Sequence, residues 1–170
     1  MILKEQTHCE FRPKLDTPPR PLSTCPPFPW SRDVWEGRNC ILNLVPCDNS
    51  FEREFAKFPD NARDVEAFAK LPQAFGFCIE YVDTAMNLRH YYADFVAVDA
   101  EGTHWLLETK GREDDDVPRK DTAAAQWCEN ATQLTGMNWK YQKITQELFE
   151  TLHPKNLANL AIFYIAKKGV

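Results

Sequence analysis

The stretch Tyr91-Tyr92-Ala93-Asp94-Phe95-Val96-Ala97-Val98, then Asp99-Ala100-Glu101-Gly102-Thr103, then His104-Trp105-Leu106-Leu107-Glu108-Thr109-Lys110-Gly111, decides how this chain is read. Two runs rich in β-branched and aromatic residues flank a short loop ending in glycine. That is the pattern of a β-hairpin, with Gly102 in the left-handed region. If Asp99 and Thr103 close the loop, Val98 faces His104, Val96 faces Leu106 and Asp94 faces Glu108. Side chains alternate along a strand, so Glu108 and Lys110 share a face with Leu106, and Asp94 shares the matching face with Val96 and Val98. Two opposed carboxylates on a largely apolar face repel unless something neutralises them. Lys110 supplies one positive charge. The remaining negative charge suits a hard divalent cation such as Mg²⁺, which takes one or two carboxylates, waters and substrate phosphates. Spacing alone leaves a second reading open, a surface hairpin whose carboxylates point to water with Lys110 in an ordinary salt bridge.

Upstream, Cys40 to Val45 is a short apolar strand candidate. Asp48-Asn49-Ser50 offers capping residues before Phe51, Phe55 and Phe58, which recur as one face of a helix requires. Pro59 is expected to end or bend that helix, and Asn61 to Lys70 reads as a second helical stretch. On the first helix Glu54 lies roughly 65° from the centre of the apolar stripe and Glu52 roughly 90° off on the other side, so Glu54 is the one expected to reach inward as a third carboxylate. Phe77 to Val82 and Arg89 to Val98 read as strands, with Thr84-Ala85-Met86-Asn87 as a turn. Downstream of the hairpin, Asp121 to Leu134 is a helix, Trp139 to Ile144 a strand and Thr145 to Leu152 a short helix. The apolar tail Leu157 to Ala166 fits either strand or helix. Helix, three strands, helix, strand is a small α/β arrangement, an α+β mixed sheet.

The chain has 170 residues, a formal net charge of −5 and 44% hydrophobic residues, enough for one domain with its own core. Seven of the twelve prolines fall within residues 1–30, which therefore read as an extended arm or linker, and residues 31–170 as the domain. No apolar run approaches a membrane span and no signal peptide is legible, so a cytoplasmic, membrane-free protein is expected. The six scattered cysteines form no C-x-x-C pair. They read as reduced thiols, the alternative being a structural zinc site from Cys9, Cys25, Cys40 and Cys47 with His8. The acidic balance excludes a basic nucleic-acid coat protein but not an enzyme that touches a short stretch of nucleic acid.

Taken together, Asp94 before a hairpin, Glu108-Thr109-Lys110 after it and a glutamate on a preceding helix resemble the PD-(D/E)xK nuclease superfamily. More narrowly, Phe28-Pro29-Trp30-Ser31-Arg32, Asn49-Ser50-Phe51-Glu52-Arg53-Glu54-Phe55, Tyr91 to Phe95 and Glu108 to Glu113 resemble the C-terminal endonuclease region of type III-like restriction subunits. Ala93 stands where the superfamily has proline. The resemblance implies a restriction-endonuclease-like αβββαβ core with flanking helices, in a Mg²⁺-dependent DNA endonuclease of a restriction or phage-defence system, with Mn²⁺ able to substitute. It further implies that Asp94, Glu108 and the Thr109 carbonyl hold the metal, that Glu54 completes the site, and that Lys110 orients the attacking water. Gln126, Lys120 and Arg112 become candidate phosphate or water contacts. The expected partners are double-stranded DNA and either a helicase-type ATPase motor, since no G-x-x-x-x-G-K-[ST] loop is present here, or a restriction-modification subunit. Two alternatives stand beside this: a non-catalytic nucleic-acid-binding or assembly module of the same fold, and a structure-specific nuclease such as a junction resolvase.

Overall fold

The computed structural model describes residues 18–111 and 116–160. In chain order these form β1 (Val34–Trp35), β2 (Val45–Pro46), α1 (Ser50–Asn61), β3 (Val65–Lys70), β4 (Ile79–Val82), β5 (Leu88–Tyr91), β6 (Phe95–Asp99), β7 (His104–Lys110), α2 (Val117–Thr135), β8 (Trp139–Thr145) and α3 (Gln146–Leu152). The result is a mixed α/β protein built on a four-stranded sheet of order β3-β6-β7-β8. β6 is antiparallel to both β3 and β7, whereas β7 and β8 run parallel, with α2 as their crossover. Two small antiparallel pairs, β1-β2 and β4-β5, stand apart from it.

The decisive hairpin has the expected register: Val98 pairs with His104 and Val96 with Leu106. Gly102 takes φ +76°, as its loop requires. Alternation along β6 and β7 divides the core. Phe95, Ala97, Trp105 and Leu107 pack with Phe51, Phe55 and Phe58 of α1, whereas Leu106 packs with Ala124 and Cys128 of α2. The sheet is thus covered by helices on two sides, and burying the three large side chains of one sheet face, Phe95, Trp105 and Leu107, contributes on the order of 5–9 kcal/mol. On the α1 side Phe149 of α3 closes the cluster, its ring 5.5 Å from that of Phe55.

Several expectations need correction. The stretch read as a second helix is strand β3. Val65, Phe68 and Ala69 mimic helical spacing, but Phe68, Ala69 and Lys70 are all buried against β6, and a bulge after Val65 resets the register. Tertiary pairing, which sequence spacing does not contain, overrides the local period. The strand expected from Phe77 is only β4, and it lies outside the main sheet. The run Arg89 to Val98 is not one strand but β5 and β6, broken at Tyr92–Asp94, where the Asp94 carbonyl accepts from Leu71 N–H at 2.7 Å. From Cys40 to Val45, only Val45 is in a strand, and Cys40 makes a single bridge to Phe68. Helix α1 continues through Pro59 to Asn61.

Other expectations stand. Helix α2 is longer than expected, β8 matches, and α3 begins after Thr145, whose hydroxyl caps Leu148 N–H. Of the arm, residues 18–30 are extended apart from a 3₁₀ turn at Leu22–Thr24, with Arg20 stacked 4.3 Å over the Phe75 ring. In the tail, residues 157–160 are helical, with Leu157 N–H donating to Asp64 at 2.7 Å. The reading from residue 161 onward, Arg112, and Cys9 and His8 of the alternative zinc site lie outside the described residues. No described helix is long and apolar enough to cross a membrane.

Candidate active site

At the end of the main sheet away from the Gly102 loop, the chain leaves β5, passes Tyr92 and Ala93 and enters β6 at Phe95. Asp94 occupies that junction. Its Oδ2 accepts from Thr109 N–H at 2.8 Å and from the Thr109 hydroxyl at 2.6 Å, which ties it to β7. Its Oδ1 accepts from Lys70 Nζ at 2.9 Å, which ties it to β3. Strand pairing causes this convergence: Lys70 lies opposite Phe95, so the last residue of β3 is delivered next to the residue that precedes β6.

Lys70 is 5% exposed and its ammonium also meets Glu52 Oε2 at 2.9 Å and Asp48 Oδ2 at 3.6 Å. Burial opposes its charge, but Asp94 and Glu52 outweigh that penalty and hold its pKa above the ordinary value. Glu52 reaches this position through a capping box. Asn49 Oδ1 accepts from Glu52 N–H at 2.9 Å, and the Glu52 carboxylate returns to Asp48 N–H and the Asn49 side chain. A residue at N3 that folds back over the helix start points across the end of the sheet rather than along the helix flank.

Glu108 shares the face of Leu106, and its Oε2 accepts from the Tyr91 hydroxyl at 2.7 Å. Burial first, and the neighbouring Asp94 charge second, push its carboxyl up to about 8, while Tyr91 and Lys110 pull the other way. Burial and the Glu108 charge likewise hold Tyr91 protonated. On the same side, the Tyr141 hydroxyl donates to Asp121 of α2 at 2.7 Å, and Asp121 is paired with Lys143 at 2.8 Å. A polar network therefore runs from the hairpin to α2 in an otherwise apolar layer.

The structure brings Asp94, Glu108, Thr109 and Lys110 to one end of the hairpin, as the spacing predicts. Asp94 and Glu108 interact electrostatically. Thr109 meets Asp94 through its N–H and hydroxyl. Glu54 is not with them: it is solvent-exposed and paired with Lys57 at 2.5 Å. The helical glutamate at the cluster is Glu52, and the Asn49-x-x-Glu52 capping spacing is the signal that could have found it. Lys70 joins the cluster only because its segment is strand β3; the helix that its spacing predicts does not bring it there. Gln126 is exposed and bonded to Glu129 and Asn130 along its own helix. Lys120 sits with its ammonium 5.9 Å from the Tyr81 ring centroid.

Among the described residues, no group of three or more His, Cys, Asp or Glu side chains is arranged to hold a metal ion. The donor set at Asp94 and Glu108 is nonetheless of the kind Mg²⁺ uses: two partly buried carboxylates, one of them driven towards its neutral form by desolvation and by the charge of the other. Comparison with protein-family models, with curated proteins and with solved structures gives no match to this chain.

Proposed function

We propose that this chain is a metal-dependent DNA endonuclease of PD-(D/E)xK type, hydrolysing phosphodiester bonds at Asp94, Glu108 and Lys110. The observation that carries the reading is the meeting of Asp94 with Glu108-Thr109-Lys110 at one end of a β-hairpin. This hairpin belongs to a mixed sheet in which a helix precedes the first strand and another links β7 to β8. That order of elements is what a restriction-endonuclease-like core requires, and the two halves of the motif are 14 residues apart in sequence.

In this reading Asp94 and Glu108 hold Mg²⁺, and the Thr109 side chain fixes the rotamer of Asp94. When bound there, the metal would polarise the scissile phosphate and lower the pKa of a water, so that hydroxide is available for attack. Lys110, next to the carboxylates on the same strand face as Glu108, orients that water and balances charge developing on the phosphate. Water adds to phosphorus, the bond from phosphorus to the 3′ oxygen breaks, and the departing oxygen takes a proton, leaving 5′-phosphate and 3′-hydroxyl ends. Lys70 keeps Asp94 and Glu52 in place by pairing with both, and thus acts as a positioning residue.

Purified chain is incubated with supercoiled plasmid at low salt with Mg²⁺, with Mn²⁺ and with chelator, alongside Lys110→Ala. The expected result is nicking or linearisation that needs the metal and is lost in Lys110→Ala. Equal cleavage by parent and variant overturns the site. Absence of cleavage together with absence of Mn²⁺ binding that depends on Asp94 and Glu108 overturns the function.

A further inference from the structure

Beside Asp94 opens a cleft of about 510 Å³ that shares Asp94 and Lys70 with the carboxylate cluster. One wall is the segment from Phe28 to Arg32 and another is the β5-β6 break at Tyr92. Large aromatic side chains are normally buried, yet Trp30 is 37% and Tyr92 42% exposed, and both line this one cleft. Neither is there by slack packing. Trp30 is pinned by its indole N–H, which donates to Asp33 O at 3.0 Å, and by the edge of Phe28 with ring centroids 6.3 Å apart. Tyr92 is presented by the same break that turns Tyr91 inward to Glu108 and delivers Asp94.

The charges of the cleft are balanced within it. Arg32 pairs with Asp48 at 2.5 Å, and Lys70 pairs with Asp94 and more weakly with Asp48. A ligand here is met by the rings of Tyr92 and of Trp30, the latter with the exposed Arg32 guanidinium 5.8 Å from its centroid, by the remaining donors of that guanidinium and by little net charge. Those features match a nucleobase lying on Trp30 or Tyr92 with a backbone phosphate near Arg32, because aromatic stacking accepts any base and needs no unpaired charge. The volume is that of a small-molecule site, which admits one splayed-out nucleotide and not a stacked duplex.

We propose that this cleft is a nucleotide-stacking subsite for one unpaired base adjacent to the phosphodiester held at Asp94. The inference rests on the nuclease reading for its orientation, and names the substrate class as single-stranded or locally opened DNA. Trp30 and Tyr92 are the stacking surfaces and Arg32 the phosphate contact.

The test uses the full chain in chelator, so that nothing is cut, and follows tryptophan fluorescence. The probes are a short oligothymidylate, an abasic oligomer of the same length and the corresponding duplex. The expected result is saturable quenching by oligothymidylate that Trp30→Phe largely removes, with binding tighter than to the abasic oligomer or the duplex. Trp30→Ala and Tyr92→Ala should each weaken oligothymidylate binding about tenfold while leaving the abasic oligomer unaffected. Both side chains are exposed, so these variants keep the fold, which circular dichroism checks. Equal affinity for oligothymidylate and abasic oligomer, preference for duplex, or no binding of any probe overturns the subsite. Metal-dependent plasmid cleavage without base-dependent binding removes the subsite and leaves the nuclease. Base-dependent binding without metal-dependent cleavage does the reverse.

Discussion

Strand β6 starts just after one aspartate and ends on another, and the fold treats the two in opposite ways. Asp99, at the Gly102 end, is buried and satisfied entirely by neutral donors: Thr103 N–H at 2.8 Å, Glu101 N–H at 3.1 Å and the Trp105 indole at 2.7 Å. All lie within six residues of it, so a local loop closes on its own carboxylate. Asp94, at the other end, draws on Thr109 of β7 and on the ammonium of Lys70 from β3, with Glu108 as a like-charged neighbour. A carboxylate that merely holds a turn needs hydrogen-bond donors. One set beside a second carboxylate creates a demand for positive charge that neutral donors do not meet, and on the proposed reading that demand is what a metal would answer.

The comparison can be broken most directly by exchange. Asp94→Asn and Lys110→Ala are expected to lower metal-dependent plasmid cleavage at least about 100-fold with the circular dichroism spectrum unchanged. Asp99→Asn should leave cleavage by the folded fraction intact. If Asp99→Asn matched Asp94→Asn in activity, the distinction between the two ends would fall. Next in size is Lys70→Met, which takes the shared ammonium from buried Glu52 and partly buried Asp94 and should cost about 3–5 kcal/mol in urea unfolding. Because Mg²⁺ can supply the missing charge, the unfolding midpoint of this variant should rise with added Mg²⁺ more steeply than that of the parent.

Asp99→Asn has its own expected effect, a loss of about 1–3 kcal/mol that no metal restores, read from the same urea curves. Glu108 sharpens the contrast through pH. Its carboxyl lies near 8 in the fold against 4.5 ordinarily, so between those values the folded chain keeps a proton that the unfolded chain releases. Stability should therefore fall as pH rises through that window in chelator, and the fall should be shallower in Glu108→Gln. Metal affinity should rise over the same window, because the ion displaces that proton. The smallest effect belongs to Glu54→Gln: within about 0.5 kcal/mol of parent stability, with unchanged cleavage, since Glu54 is an exposed partner of Lys57. Cleavage assays on Glu52→Gln and Glu54→Gln side by side test which of the two helical glutamates serves the site.

What the sequence by itself determined is local. The register of β6 on β7 follows from loop length, the Gly102 position and strict alternation, and with it the meeting of Asp94 and Glu108-Thr109-Lys110. The apolar stripe of α2, strand β8 and the Thr145 cap of α3 were legible for the same reason: each is specified by residues within a few positions of one another. The tertiary structure alone decided the rest. Lys70 could not be read, because Val65 to Lys70 carries a helix-like spacing and becomes a strand only by pairing with β6 across some 30 residues. Glu52 replaced Glu54 because a capping hydrogen bond turned it across the end of the sheet, where simple rotation about the helix axis placed Glu54 closer. Spacing fixes which side chains share an element's face. Long-range pairing decides which elements' ends converge, and here that convergence gathers the carboxylates and the lysine that neutralises them.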